Sequence, residues 1–281
     1  MTRPGALEVD WLALCRRATC ALREVLAGSP STRERAEETG ERGEGGDRTL
    51  VIDRAAEDAV FALLDEQHAA GHRFCAISEE RGVVDYGSPD VRVVVDPIDG
   101  SLNAKRGLPH HAISIAVADG PTMADVAFGY VYDYGPGEEW AARRGEGATL
   151  DGRRLDPAAG ERRDASGRLE VLGLESADPR WVAEVAAVLP DHAARVRALG
   201  SIAVTLCQVA AARLDAMLTL RRTRAVDAAA GQLIVREAGG EVAFVGFEEP
   251  LGAPLDVEPR SPMVAARTAA TLARLAEVPR A

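Results

Sequence analysis

The feature that most constrains this chain is the segment D-P-I-D-G-S at residues 96–101, which directly follows the apolar run V-R-V-V-V at residues 91–95. The run predicts a buried strand, so two carboxylates three residues apart would stand at its end in an apolar setting. Burying both carboxylates is costly unless a cation neutralises them. Pro97 holds Asp96 in an extended conformation and leaves the Ile98 carbonyl available as an oxygen ligand. On its own, such a segment is more often an ordinary acidic turn.

Gly100 and Ser101 complete this segment. A glycine allows backbone to approach a ligand closely. Ser101 stands where a following helix would begin, with N–H groups suited to a phosphate. The segment therefore offers oxygen ligands for a hard cation and, beside them, a place for an anion.

Acidic residues also stand at three other predicted element ends. Glu79 and Glu80 follow an apolar, strand-like run. Asp227 lies in the first turn of the helical segment V-D-A-A-A-G at residues 226–231, whose small residues let the helix approach a sheet closely. Asp53 stands at the start of another predicted helix. For a single acid at that position, capping of the helix N-terminus is the simpler interpretation. Together these acids supply the further ligands that a metal site at residues 96–101 would need.

These segments resemble the inositol monophosphatase family, part of the superfamily that includes the fructose-1,6-bisphosphatases. The resemblance rests on D-P-I-D-G-S, on V-D-A-A-A-G with A-G-G at residues 238–240, on Glu79-Glu80, and on T-x-x-x-D-x-x-x-E at residues 49–57. Their order and spacing agree over nearly the whole chain. The resemblance implies an α/β (α+β) fold, a layered α-β-α-β-α sandwich, in one domain over residues 1–281. The metal-binding half would span about 1–150 and the C-terminal α/β half about 165–281, and the resemblance also implies a homodimer.

The resemblance further implies a Mg²⁺-dependent phosphatase that hydrolyses a small phosphorylated polyol or sugar by means of metal-activated water. The implied ligands of two or three Mg²⁺ ions are Glu79, Asp96, the Ile98 carbonyl, Asp99 and Asp227. The implied catalytic residues are Ser101, Asp53 and Glu79, and the implied phosphate-binding residues are Asp99, Gly100 and Ser101. Four carboxylates bring a charge of about −4 and two Mg²⁺ ions about +4. A phosphate dianion therefore needs further positive charge, from a third Mg²⁺ or from arginine.

An arginine-rich stretch, T-L-R-R-T-R at residues 219–224, precedes the second signature. Family members selective for inositol monophosphate carry an acid in this stretch. The arginines instead resemble the archaeal-type members that act on both fructose-1,6-bisphosphate and inositol-1-phosphate. A guanidinium binds a phosphate through two parallel hydrogen bonds. We therefore predict that Arg221 and Arg222 contact the substrate, with Arg197 and Ile202 as further candidates for the same pocket.

Charge and composition argue against several classes of partner. The net charge of −11 provides no basic surface for nucleic acid or an anionic membrane. No apolar run approaches the roughly 20 residues of a membrane helix, and the N-terminus lacks the apolar segment of a signal peptide. We therefore expect a cytoplasmic enzyme that binds neither nucleic acid nor membranes. The four cysteines lack the spacing of a zinc site and lie in apolar stretches, which predicts buried thiols.

The predicted elements are mixed. Apolar residues at three- and four-residue steps predict a helix over residues 7–25, and a second helix is predicted to begin near Asp53. Between them, the polar and Gly-rich residues 28–47 predict either a disordered insert or a mobile loop over a site. Strand-like runs dominate residues 74–150, and strands alternate with helices from residue 169 onward, including a helix over residues 181–189.

Two alternative functions remain open. The first is another phosphatase, specific for 3′-phosphoadenosine 5′-phosphate or for histidinol phosphate. Nucleotide specificity predicts aromatic residues that stack on the base, and aromatic residues make up only 4% of the chain. The second is a non-catalytic binding partner that keeps the fold, which the presence of all four carboxylate ligands disfavours.

Overall fold

The computed structural model describes residues 6–42, 44 and 48–279, and their helices and strands stack in five layers, α-β-α-β-α, as the sequence predicts. The helices of these residues are α1 Trp11–Gly28, α2 Val51–Ala69, α3 Ser101–Arg106, α4 Pro179–Val185, α5 Leu189–His192, α6 Ile202–Ala210, α7 Ala225–Glu237 and α8 Ala269–Ala276. None of the helices in the described part is both long and apolar enough to cross a membrane.

The first layer consists of α1 and α2. Asp10 caps α1 by accepting a hydrogen bond from the Ala13 N–H at 3.1 Å. Residues at three- and four-residue spacing, among them Leu14, Ala18 and Leu22, form the buried face of α1. An antiparallel hairpin of β1 Glu38–Arg42 and β2 Arg48–Leu50 leads into α2.

The second layer is an eight-stranded sheet that carries half of the candidate site. Its strands, in spatial order, are β10 Arg153–Arg154, β9 Gly147–Leu150, β8 Glu138–Arg143, β7 Val126–Asp133, β6 Ala112–Ala118, β5 Arg92–Asp99, β3 Cys75–Ser78 and β4 Gly82–Asp85. Every neighbouring pair is antiparallel except β3 and β5, which run parallel with Ser78 opposite Val95. The carboxyl ends of these two strands therefore lie side by side.

Strand β5 is buried on both faces, which explains its continuous apolar run. Val93 and Val95 belong to the core shared with α1 and α2. Val94 points the other way, into the core that contains α6 and α7. The strand thus delivers its terminal carboxylates into the interior of the protein.

The remaining layers are built from the C-terminal half. The smaller sheet has the spatial order β12 Val196–Arg197, β11 Leu172–Glu175, β13 Ala216–Thr219, β15 Met263–Ala266 and β14 Glu241–Phe244. Helices α6 and α7 share one apolar core with both sheets and so form the middle layer. Helices α4, α5 and α8 cover the outer face of the smaller sheet through Val185, Leu189 and Leu275.

The small residues of α7 allow the close packing that the sequence predicts. A Cβ atom added at Gly231 would lie 2.8 Å from Leu206 Cβ on α6. On the other side, a Cβ atom added at Gly129 in β7 would lie 2.7 Å from the Ala230 carbonyl oxygen. Helix α7 therefore packs against α6 and against the large sheet so closely that neither contact has room for a methyl group. This packing fixes the position of Asp227, which lies in the first turn of α7.

We expect the substitution Gly231→Ala to destabilise the protein by up to about 2 kcal/mol. Alanine is favoured over glycine within a helix by about 1 kcal/mol, but overpacking a filled core typically costs 1–3 kcal/mol, and the clash with Leu206 involves its rigid Cβ atom. Urea unfolding measures the difference. The matched control is Gly28→Ala at the end of α1, where a Cβ atom meets nothing within 4 Å; equal stability changes for both variants would contradict the close packing of α7.

Three expectations about local structure need correction. The described part of residues 28–47 contains a 3₁₀ turn at Glu34–Ala36 and strand β1, so the expectation of a disordered insert is wrong for this part. Gly43 and residues 45–47 lie outside the described residues. The single helix expected over residues 181–189 is divided into α4 and α5, since Pro190 begins a new first turn. Cys20 is exposed rather than buried because it lies on the outer face of α1.

Candidate metal centre and active site

The centre of the candidate site is the turn between β5 and α3. The pairing of β5 with β6 is irregular between Asp96 and Asp99. The Asp96 carboxylate bridges the turn by accepting a hydrogen bond from the Ile98 N–H at 2.9 Å. Gly100 has a φ of +87°, and a Cβ atom there would lie 2.8 Å from the His110 carbonyl oxygen. Only glycine fits this position, because backbone approaches it closely and its conformation is left-handed.

Three acidic side chains from different elements meet at this turn. Glu79 follows β3, Asp96 lies near the end of β5, and Asp227 lies in the first turn of α7. Each offers a carboxylate oxygen, and these oxygens all lie within 4.8 Å of one another. The parallel pairing of β3 with β5 sets the first two side by side, and the close packing of α7 adds the third.

The electrostatics of this cluster fit a bound cation. Burial raises the pKa of Asp96 well above its usual range, and the charges of Asp99, Glu79 and Asp227 raise it further. Burial and the charge of Asp227 raise the pKa of Asp99 to about 7, against hydrogen bonds that lower it. Ionised carboxylates are therefore unfavourable here without a counter-charge, and an all-oxygen donor set is the kind that hard divalent cations prefer.

One cavity of about 320 Å³ opens on the cluster from the side of α2 and β1. It is lined by the predicted residues Asp53, Glu79, Asp96, Ile98 and Ser101, and also by Glu38, Leu50, Glu80, Pro97, Leu102, Lys105 and Arg224. Asp53 Oδ1 is buried with no hydrogen-bond partner among the described residues, and burial raises the pKa of this carboxyl to about 6. Lys105 is the only lysine in the chain. Asp53 is thus placed to bind something that enters this cavity.

A second cavity of about 770 Å³ opens on the other side of the cluster. It is lined by the predicted residues Asp99, Ile202, Arg222 and Asp227, and by others that include Asn103, Glu175, Asp178, Trp181, Gly200 and Arg224. Arg224 and Leu102 line both cavities, so the two spaces adjoin at the carboxylate cluster.

Two of the arginines that were predicted to contact the substrate, Arg221 and Arg197, do not line the second cavity. Arg221 does not line the second cavity directly; its guanidinium stacks on the ring of Trp181, 4.2 Å from the ring centroid. Arg197 lines a different cavity of about 310 Å³, with His110, Glu138 and Gln208. Arg197 lies on β12, the edge strand of the smaller sheet, and Arg222 lines the second cavity instead.

A buried acid that the sequence interpretation missed, Glu175, holds one wall of the second cavity. Its carboxylate accepts hydrogen bonds from the N–H groups of Leu199 at 2.9 Å and Gly200 at 3.1 Å, and from Thr205 Oγ1 at 2.6 Å. Asn103 Nδ2 donates to the Leu199 carbonyl from the opposite side at 2.7 Å. The segment 199–201 is therefore clamped between the two halves of the chain.

The clamped segment in turn holds Asp99. Ser201 Oγ donates to Asp99 Oδ2 at 2.5 Å, and the Ala203 N–H donates to the same oxygen at 2.7 Å. These two bonds fix the orientation of a predicted metal ligand. The sequence offers one hint, an acid that follows the strand-like run at residues 169–174, but this pattern does not distinguish Glu175 from other acids at strand ends.

We expect Glu175→Gln to lower the free energy of unfolding by about 1–3 kcal/mol and to raise KM several-fold with a smaller change in kcat. The amide cannot accept hydrogen bonds at all three donors, and a buried donor left unpaired costs about that much. Urea unfolding and steady-state kinetics measure the two effects. Glu170→Gln is the matched control, because Glu170 is half exposed and pairs only loosely with Arg162 at 3.5 Å; an unchanged KM in Glu175→Gln would contradict the positioning role.

This chain is similar to known proteins over most of its length. The model of the inositol monophosphatase family matches residues 10–279. A protein of Archaeoglobus fulgidus named fructose-1,6-bisphosphatase/inositol-1-monophosphatase is 32% identical over 265 residues, covering 92% of this chain and 94% of the relative. One of the same name from Methanothermobacter thermautotrophicus is 35% identical over 80% of each chain. The Nus factor SuhB of Escherichia coli is 36% identical over 69% of this chain and 71% of its own.

Solved structures share the fold. A crystal structure described as an inositol monophosphatase–fructose 1,6-bisphosphatase superposes with a TM-score of 0.80 at 24% identity, covering 96% of this chain and all of the other. The extragenic suppressor protein SuhB of Bartonella henselae gives a TM-score of 0.75 at 25% identity, covering 95% of this chain and 98% of the other. The family match and the full-length relatives give one conclusion: this chain is a phosphatase of the inositol monophosphatase family.

Proposed function

We propose that this chain is a Mg²⁺-dependent phosphomonoesterase that acts on inositol-1-phosphate, on fructose-1,6-bisphosphate or on both. The observation that carries the proposal is the cluster of Glu79, Asp96 and Asp227, whose carboxylate oxygens lie within 4.8 Å of one another. It stands between a cavity that holds Asp53 and Ser101 and a larger one that holds arginine side chains. The names of the archaeal relatives support this choice of substrates.

The metal proposal rests on the chemistry of the donors. Mg²⁺ takes oxygen ligands in octahedral geometry and keeps some of its waters. The residues that would hold two or three such ions are Glu79, Asp96, the Ile98 carbonyl, Asp99 and Asp227. When bound, the ions would polarise the phosphoryl group and activate water as the nucleophile.

The protein's own residues would do the rest of the work. Asp53 has a pKa raised to about 6 by burial, and its Oδ1 has no hydrogen-bond partner among the described residues, so it is suited to orient water and accept its proton. Ser101 lines the same cavity and would help to position that water. The N–H groups of Gly100 and Ser101 would favour a phosphate at this turn, and Asp99 would contact that phosphate through a bound cation. Glu79 would act both as a ligand and as a catalytic residue.

Substrate recognition is proposed for the larger cavity. Arg222 and Ile202 lie on its wall, and Arg221 is one side chain removed, stacked on Trp181. A second phosphate of a bisphosphate would find its counter-charge there. Arg197, in its separate cavity, is the weakest of these proposed contacts.

We extend the proposal to the protein as a whole. The family resemblance supports a single domain over the chain, with its N-terminal half contributing Glu79 and Asp96 and its C-terminal half Asp227. It also supports a homodimer, which light scattering of the purified protein would test. The acidic charge of −11 supports an enzyme that binds neither nucleic acid nor anionic membranes, and we propose a cytoplasmic location for it.

A second candidate function is favoured by one specific observation. Trp181 lies on the wall of the larger cavity, and an aromatic ring there is what a nucleotide substrate such as 3′-phosphoadenosine 5′-phosphate requires. Against this, the guanidinium of Arg221 already stacks on that ring. Base stacking would have to use the other face or displace the arginine.

A phosphate-release assay decides between these functions. The purified protein is supplied with inositol-1-phosphate, fructose-1,6-bisphosphate, 3′-phosphoadenosine 5′-phosphate and histidinol phosphate, each with Mg²⁺ and with a chelator. We expect turnover of one or both of the first two, only with Mg²⁺. Highest kcat/KM on the adenosine bisphosphate would establish the second candidate, whereas metal-independent turnover would contradict the proposed metal chemistry.

A further inference from the structure

Arg224 stands between the two cavities and touches two of the three clustered carboxylates. Its Nη1 donates to Glu79 Oε1 at 2.5 Å, and its Nε lies 3.5 Å from Asp227 Oδ2. The side chains of Arg224 and Glu79 are each only 19% exposed. This guanidinium therefore supplies counter-charge to a cluster whose burial would otherwise be costly.

A divalent cation would compete with Arg224 for the same charge. Glu79 and Asp227 are proposed ligands, and a cation held between them and Asp96 would lie within a few ångströms of the guanidinium. Like charges at that separation repel strongly in a partly buried site. Metal binding would thus weaken the contacts of Arg224 with the cluster.

The larger cavity next to the cluster can accommodate the displaced Arg224 side chain. Arg224 already lines the larger cavity, as does Arg222. Four carboxylates and two divalent cations leave the centre about neutral, so a phosphate dianion there needs another positive group. A guanidinium fits that requirement because it forms two parallel hydrogen bonds to phosphate oxygens.

We propose that Arg224 exchanges partners: it pairs with Glu79 and Asp227 in the metal-free protein and binds the substrate's phosphate once cations occupy the cluster. This inference rests on the proposed function, and it makes Arg224 a catalytic residue because it touches the substrate. Its consequence is a pair of effects with opposite signs. Removing the guanidinium relieves competition and tightens metal binding, but it weakens phosphate binding.

The experiment measures both affinities by calorimetry on the full chain, without turnover. Mg²⁺ is titrated into the metal-free protein, and inorganic phosphate is titrated into protein saturated with Mg²⁺. For Arg224→Gln we expect Mg²⁺ to bind about tenfold more tightly and phosphate about tenfold more weakly than in the wild type. Weaker Mg²⁺ binding would show that Arg224 merely positions Glu79, and unchanged phosphate binding would show that it does not reach the anion; either result would overturn the exchange.

Two further variants keep the test decisive. Arg224→Lys keeps the charge and loses the two-pronged hydrogen bonding, so Mg²⁺ affinity should stay within about twofold while phosphate binds several-fold more weakly. If Arg224→Gln does not fold, unchanged phosphate binding by Arg224→Lys overturns the inference. Arg222→Gln removes the same charge from the same cavity. If this variant gained as much Mg²⁺ affinity as Arg224→Gln, the gain would come from the loss of any nearby positive charge, and the proposed exchange would be overturned. A wild type that binds no Mg²⁺ contradicts the proposed function itself.

Discussion

Asp96→Asn should reduce phosphate release by a factor of about 10³ or more while stabilising the metal-free protein by about 1–2 kcal/mol. The loss follows because the amide keeps one oxygen but removes a charge from a site that must balance divalent cations. The gain follows because Asp96 is 4% exposed and its ionisation is opposed by burial and by three neighbouring carboxylates. The hydrogen bond from the Ile98 N–H can persist, since the amide oxygen replaces the carboxylate oxygen as acceptor.

Kinetics with saturating Mg²⁺ and urea unfolding in a chelator measure the two effects. Asp119→Asn is the matched control, because Asp119 pairs with Arg144 at a surface position where its side chain is 38% exposed. That variant should change activity and stability little. If Asp96→Asn destabilised the metal-free protein and left activity within tenfold of the wild type, Asp96 would be a structural residue only.

Removing Mg²⁺ should lower the melting temperature by about 5–10 °C at pH 8. The comparison is between protein in a chelator and protein at a free Mg²⁺ concentration about 100 times the dissociation constant. The cause is the work of holding several ionised carboxylates together in a buried site where Arg224 alone supplies too little counter-charge. Cations that bind only the folded protein remove this cost and add their binding free energy.

The pH dependence of this effect has a definite sign. Folding raises the pKa of Asp53 to about 6 and of Asp99 to about 7, above the unfolded values near 4. A carboxyl whose pKa is higher in the folded state stabilises the fold when protonated, and that contribution is lost as pH rises from about 4 to about 7. In a chelator, the melting temperature should therefore fall between pH 5 and pH 8.

Scanning calorimetry at four pH values, with Mg²⁺ and with a chelator, tests this. The difference between the two curves should be largest at pH 8 and smallest at pH 5, where protons compete with the metal for the carboxylates. Curves that coincide at pH 8 would mean that the cluster binds no Mg²⁺ in the folded protein.

Much of this arrangement could be predicted from sequence because it depends on local pattern. The run before Asp96 places valines on both faces of an extended chain, which favours a strand that is buried on both sides. Gly100 and Gly231 are explained by the close contacts that the structure shows, with the His110 carbonyl oxygen at Gly100 and with the Leu206 side chain at Gly231. The five-layer fold follows from the family resemblance and is confirmed.

Other residues could not be found because nothing local distinguishes them. Arg222 and Arg224 belong to one run of arginines, and only the start of α7 decides that Arg224 turns toward Glu79, a residue 145 positions away. In the sequence, Glu175 does not differ from any other acid at a strand end. Its role depends on hydrogen bonds from the segment 199–201, which only the tertiary fold brings close. Trp181 reaches the larger cavity through the placement of α4, which periodicity does not encode.

The most direct test of the metal centre is the location of Mn²⁺, by anomalous scattering, in crystals grown with Mn²⁺ and inorganic phosphate. We predict at least two Mn²⁺ peaks among the carboxylates of Glu79, Asp96 and Asp227, with phosphate beside them at the turn that contains Gly100. Mn²⁺ prefers the same oxygen ligands as Mg²⁺, so its position reports on the proposed site. Full occupancy elsewhere, with no peak between these three carboxylates, would contradict the account.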